Sequence, residues 1–158
     1  MNKDIISVKP HELVELVRAE TEKGESVRIT VVGSSMYPFL RSGIDSAGLF
    51  PIDNIKKNDV LFYLRKDGQC VLHRCIDIKG DEYIMCGDNQ TEREYGIKRS
   101  NIIAAAKVFY RGGREITPDT PWYRLYMFLW CTLFPLRPMM CVLLKGVMKI
   151  RRIFKRSR

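Results

Sequence analysis

Between Val27 and Arg111 the sequence is cut into short apolar runs by turn signals, and this constrains the fold more than any other feature. In SVRITVVG, Val27, Ile29 and Val31 alternate with polar residues, the period of a half-buried strand. SAGLFPI, DVLFYLRK, QCVLHRCIDIK, EYIMC and NIIAAAKVFYR follow, and KKND, KDGQ, KGDE, GDNQ and RGGR punctuate them. Short strands joined by tight turns leave no room for helical crossovers, so the pattern predicts a mainly β, antiparallel domain. Ahead of it, PHELVELVRAETEK puts Leu13, Val14, Leu16 and Val17 at helical spacing, with Pro10 near the start and Gly24 as a stop. The expectation is one β domain over 1–120 carrying a short N-terminal helix at about 10–23.

From Pro121 the character changes. PWYRLYMFLWCTLFPLRPMMCVLLKGVMKIRR is rich in aromatic and aliphatic residues, but Arg137 interrupts it between Pro135 and Pro138. A spanning helix needs about 20 apolar residues, and the longest uncharged run here is 125–136. Three arrangements fit: a helical hairpin or helix lying in a membrane interface, a kinked spanning helix, or a helix pair packed on the β domain or a second subunit. Trp122, Tyr123, Tyr126 and Trp130 suit an interface. The net charge of +9 is concentrated nearby, since residues 145–158 carry seven basic residues and no acid. An anionic membrane surface is the expected partner of 121–158. The rest of the chain is nearly balanced in charge and offers no aromatic platform beside the tail, so no nucleic-acid partner is expected.

Cys70, Cys75, Cys86, Cys131 and Cys141 form no CxxC pair, and an odd count suits free thiols. Only His11 and His73 could join them around a metal, and their spacing supports no site; neither metal nor cofactor is expected.

The stretch GSSMYPFL, 33–40, needs another explanation. A serine hydroxyl is a weak nucleophile until a base takes its proton. His11 falls in the N-terminal helix beside Glu12, whereas His73 lies within a strand, on one face with Val71 and Cys75. Such a histidine is either a satisfied core residue or the base that the serine requires.

Gly33-Ser34-Ser35-Met36-Tyr37-Pro38 resembles the G-x-S-M-x-P signature of type I signal peptidases, a clan that also contains self-cleaving repressors. Three further boxes follow in the family's order. Residues 56–63, KKNDVLFY, resemble the K-x-G-D-V strand, with Asn58 where glycine is usual; HRCI, 73–76, resembles the H-R-v-i box; GDNQ, 87–90, resembles G-D-N-n. The resemblance covers roughly 27–110 and implies a signal-peptidase-like β fold. It implies Ser35 as nucleophile and His73 as general base, the histidine subtype, since other members carry lysine there. Asp88 is then the first candidate for the acid that orients His73. Glu94, six residues on, is the alternative, where the subtype has aspartate. Several members donate to the oxyanion from a hydroxyl two residues before the nucleophile. Gly33 stands there, which leaves the Ser35 N–H as main donor with Ser34 contributing. A missing side-chain donor costs about 2.7–4 kcal/mol where it was used, so slow turnover is expected. Met36, Phe39 and Leu40 are either pocket or membrane-facing residues or core.

The resemblance therefore implies a serine endopeptidase that cleaves a signal or leader peptide. The alternative is an inactive peptide- or membrane-binding module that keeps the fold. The segment MNKDIISVKPHELVEL is charged throughout and does not read as an anchor or secretion signal. With the apolar segment C-terminal, the catalytic domain is expected to be membrane-associated on the cytoplasmic side.

Overall fold

The computed structural model describes residues 9–133 together with 136, 137, 139 and 142. Helix α1, Pro10–Glu22, opens with proline, whose missing N–H would be unpaired in a first turn anyway. Its Val14 and Val17 are buried. Eight strands follow: β1 Val27–Thr30, β2 Ser46–Phe50, β3 Val60–Leu64, β4 Cys70–Lys79, β5 Glu82–Cys86, β6 Glu94–Lys98, β7 Ile102–Arg111 and β8 Arg114–Ile116. They form one sheet in the order β1-β2-β7-β3-β4-β5-β6, with β8 paired to β7 and every pairing antiparallel. Helix α2, Pro121–Thr132, is the last of these elements.

Each expected apolar run contains a strand, but β6 and β8 carry no sequence signal. In EYGIK only Ile97 is buried, and Gly96 breaks the alternation. β8 has three residues, too few to show a period.

The middle of the sheet is covered on both faces, and strand periodicity sorts the side chains between them. Val60, Phe62, Leu72, Ala104 and Ala106 join one apolar cluster with α1 and with Met36, Phe39, Leu40 and Phe109. Leu61, Tyr63, Cys75, Met85, Ile97 and Ala105 form the other. His73 and Arg74 are consecutive on β4 and so point to opposite faces. Arg74 lies under Phe39 and Tyr123, and His73 meets Tyr63.

The described part of 121–158 packs one of its faces on the sheet. α2 buries Tyr123 and Trp130, with Tyr126 and Met127 partly buried against the first cluster. No helix among the described residues is long and apolar enough to cross a membrane. Arg137 does not merely interrupt an apolar run. It is buried beside Trp130, its guanidinium donating to the Gly87 carbonyl at 3.3 Å. The basic tail 145–158 and Cys141 lie outside the described residues; the other four cysteines are free thiols.

Candidate active site

The turn that carries Ser35 joins β1 to β2. Gly33 sits at φ +92°, where a side chain would be strained, and its N–H donates to Ser42 Oγ at 3.0 Å. Beyond Ser35, Met36, Phe39 and Leu40 are fully buried in the first cluster. Two large apolar residues after Tyr37-Pro38 are thus the anchor that seats an exposed Ser34 and a half-buried Ser35. This settles Met36 as core: its side chain is not available to line a substrate pocket.

The GDN box explains itself in the same way. The Asn89 N–H donates to the Ser35 carbonyl at 2.7 Å, and Asn89 Nδ2 donates to the Ser34 carbonyl at 3.2 Å. A Cβ on Gly87 would stand 2.7 Å from the Ser35 carbonyl oxygen, so only glycine lets the two turns meet. Gly87 directly follows Cys86, the partner of Arg74 on β4. The Ser35 turn is therefore fastened to the loop that follows β5, the neighbour of β4.

On the other face, β5 and β6 pair Met85 with Glu94, which carries Glu94 to the imidazole. Glu94 Oε1 lies 2.8 Å from His73 Nδ1. The Tyr63 hydroxyl donates to Glu94 Oε2 at 2.9 Å and lies 3.2 Å from Nδ1. Arg65 Nε donates to Oε2 at 2.8 Å and Arg65 Nη2 to Oε1. A carboxylate only accepts, so the ring hydrogen belongs on Nδ1 and the neutral imidazole keeps its lone pair on Nε2. Burial alone would raise the Glu94 carboxyl, but hydrogen bonds from His73, Arg65 and Tyr63 outweigh it and hold the group well below the usual carboxylate range. Burial, then the Glu94 charge, pushes the Tyr63 hydroxyl up, so it remains a donor.

Asp88, the first candidate for orienting His73, holds Arg74 instead. Arg74 Nε and Nη2 donate to its two oxygens at 2.8 and 2.7 Å, and both side chains are fully buried. Tyr126 donates to the same carboxylate at 3.1 Å, Trp130 Nε1 donates to the Asp88 carbonyl at 3.2 Å, and Arg74 Nη1 donates to the Tyr123 hydroxyl. The physical reason is the strand period: Asp88 serves the face of β4 that Arg74 occupies, and His73 points to the other. Of the two acids named from the sequence, Glu94 is the one on the imidazole.

A cavity of about 220 Å³ opens at Ser35, lined by Leu13 of α1 and by Ile29, Val31, Phe62, Val71 and Leu72 among others. On the β5 side of β4, pairing begins only at Arg74, so Cys70–Leu72 keep an open edge there. β1 is itself an edge strand. Neither Ser35 Oγ nor His73 Nε2 hydrogen-bonds to a described residue, and the two are not bonded to each other.

No protein-family model matches the chain, and no curated protein matches it.

Ser34 is exposed; its carbonyl takes bonds from Tyr37 and Asn89. Asn58 adopts φ +81°, the left-handed conformation for which glycine is the usual residue, and its amide chain accepts from Cys131 of α2. Tyr63 and Arg74 lie inside the quoted boxes and Arg65 outside them, but the sequence assigns none of the three a role. An arginine and a tyrosine inside apolar strands were the available signal, because a buried polar group needs a partner.

The Glu94 cluster gives a pH prediction. A carboxyl with a depressed folded pKa stabilises the fold above its unfolded pKa and loses that contribution as pH falls through the folded value. Wild type is expected to melt above Glu94→Gln at neutral pH, with the gap narrowing below about pH 5. Thermal melts of both proteins from pH 7 downward check it; a gap that widens on acidification contradicts the assignment.

Proposed function

We propose that the chain is a serine endopeptidase of the signal-peptidase type, acting on a leader or signal sequence through Ser35, His73 and Glu94. The observation that carries this reading is the buried imidazole: its Nδ1 is held by an ionised carboxylate and its Nε2 is bonded to no described residue. The neighbouring strand β5 runs into the loop that hydrogen-bonds the Ser35 turn.

An extended peptide adds along the open edges of β1 and Cys70–Leu72, through main-chain hydrogen bonds of the strand-addition kind. The small apolar cavity takes a small side chain next to the scissile bond. Ser35 Oγ attacks the carbonyl carbon while His73 Nε2 takes the hydroxyl proton. Glu94 stabilises the imidazolium that forms, and Arg65 and Tyr63 hold Glu94 in place. The Ser35 N–H, which meets no described acceptor, is the donor to the developing oxyanion. The imidazolium then protonates the leaving amine, and water releases the acyl group by the same route in reverse.

The missing Ser35–His73 hydrogen bond favours one other reading, a peptide-binding module without turnover. Catalytic hydrogen bonds often tighten only once substrate is bound, so covalent chemistry separates the two. An acylating serine-directed probe is expected to label wild type at Ser35 and to leave Ser35→Ala unlabelled. A wild-type protein that binds leader peptides but takes no label is a binding module.

A further inference from the structure

The outward face of α2 is as apolar as the face it buries. Trp122, Leu125, Phe128 and Leu129 are 44%, 58%, 68% and 46% exposed. Positions 122, 125 and 129 fall on one helical stripe with 128 beside it. Leu136, Met139 and Val142 add further exposed apolar side chains. Surface of this kind gathered in one place marks a docking site. Charge says what docks there. Residues 120–158 hold nine of the chain's 27 basic residues and none of its 18 acids, so the whole net charge of +9 resides in this segment.

We propose that α2 lies in the plane of an anionic lipid surface, with Trp122, Leu125, Phe128 and Leu129 sunk to the acyl boundary and the basic residues of 120–158 held by the headgroups. Neither half of the pattern suffices alone. Nucleic acid would neutralise the charge and leave Phe128 and Leu125 in water. A second copy would cover the apolar stripe and bring two uncompensated basic segments together. A lipid surface takes both, as amphipathic helices with cationic flanks do. The inner face of α2 meanwhile grips the Gly87–Asn89 turn through Tyr126 and Trp130, so docking keeps the Ser35 turn close to the lipid.

The test uses the full chain with vesicles of phosphatidylcholine, with and without phosphatidylglycerol. Wild type is expected to sediment with the anionic vesicles and less with the neutral ones, and added salt is expected to weaken the association. Leu125→Glu with Phe128→Glu is expected to reduce partitioning at least about tenfold. Both positions are exposed, so the fold should survive, and an unchanged circular dichroism melt confirms it. Brominated lipid is expected to quench wild-type fluorescence, and to quench it less in Trp122→Phe, since Trp130 is buried. Ser35→Ala is expected to bind vesicles as wild type does, which makes failure of the peptidase reading separately visible. Partitioning untouched by the double substitution, or a lipid-free dimer that the same substitution dissociates, overturns the proposal.

Discussion

Replacing Ser35 by alanine is expected to lower kcat on a cleaved leader peptide by roughly 10⁴ or more, with His73→Ala costing about the same and the double variant little more than either. The near-identity of the three losses is the informative part. A nucleophile and its base act as a unit: without the imidazole the hydroxyl keeps its proton, and without the hydroxyl the imidazole has nothing to activate. Effects that instead multiplied would mean that the two side chains work separately, and the proposed mechanism would fail. Glu94→Gln is expected to retain the fold and lose part of kcat, because an amide in that place no longer stabilises the imidazolium. Wild type and the four variants can be compared on one peptide by mass spectrometry, with the acylating probe as an independent count of active sites.

The second large effect concerns stability. Asp88→Ala is expected to cost about 3–5 kcal/mol, because it strands the Arg74 guanidinium in a fully buried position. With m of about 2 kcal/mol/M in urea, the unfolding midpoint falls by about 2 M. The substitution also removes the acceptor of the Tyr126 hydroxyl, so α2 loosens from the sheet with the same stroke. Arg74→Met combined with Asp88→Leu is expected to recover part of the loss, since apolar groups of similar size need no partner there. An unmoved midpoint in Asp88→Ala would falsify the structural role given to this pair. The two acids of the GDNQTERE stretch thus separate experimentally: Asp88 governs whether the domain holds together, and Glu94 governs what its histidine can do.

That separation shows where residue order stops being informative. Both acids lie shortly after β5, and both are compatible with a histidine partner by spacing alone. The face of β4 that each acid meets decides between them, and that depends on β6 returning alongside β5 to set Glu94 opposite Met85. β6 was itself invisible, since one buried residue in five leaves no alternation to read. The same holds for the Gly87 contact with Ser35, which joins residues more than fifty positions apart.

Six of the eight antiparallel strands and the N-terminal helix were legible in residue order by itself, and the candidacy of Ser35 and His73 in the resemblance of four short boxes to the signal-peptidase pattern. Alternation, turn residues and short motifs are local, and local physics writes them directly into the chain. Tertiary structure alone decided that Met36 is core, that Asp88 belongs to Arg74, that Tyr63 and Arg65 brace Glu94, and that α2 grips the loop beside the serine. Each of these is a pairing between distant segments, created when burial forces every polar group to find whichever partner the sheet has brought within reach.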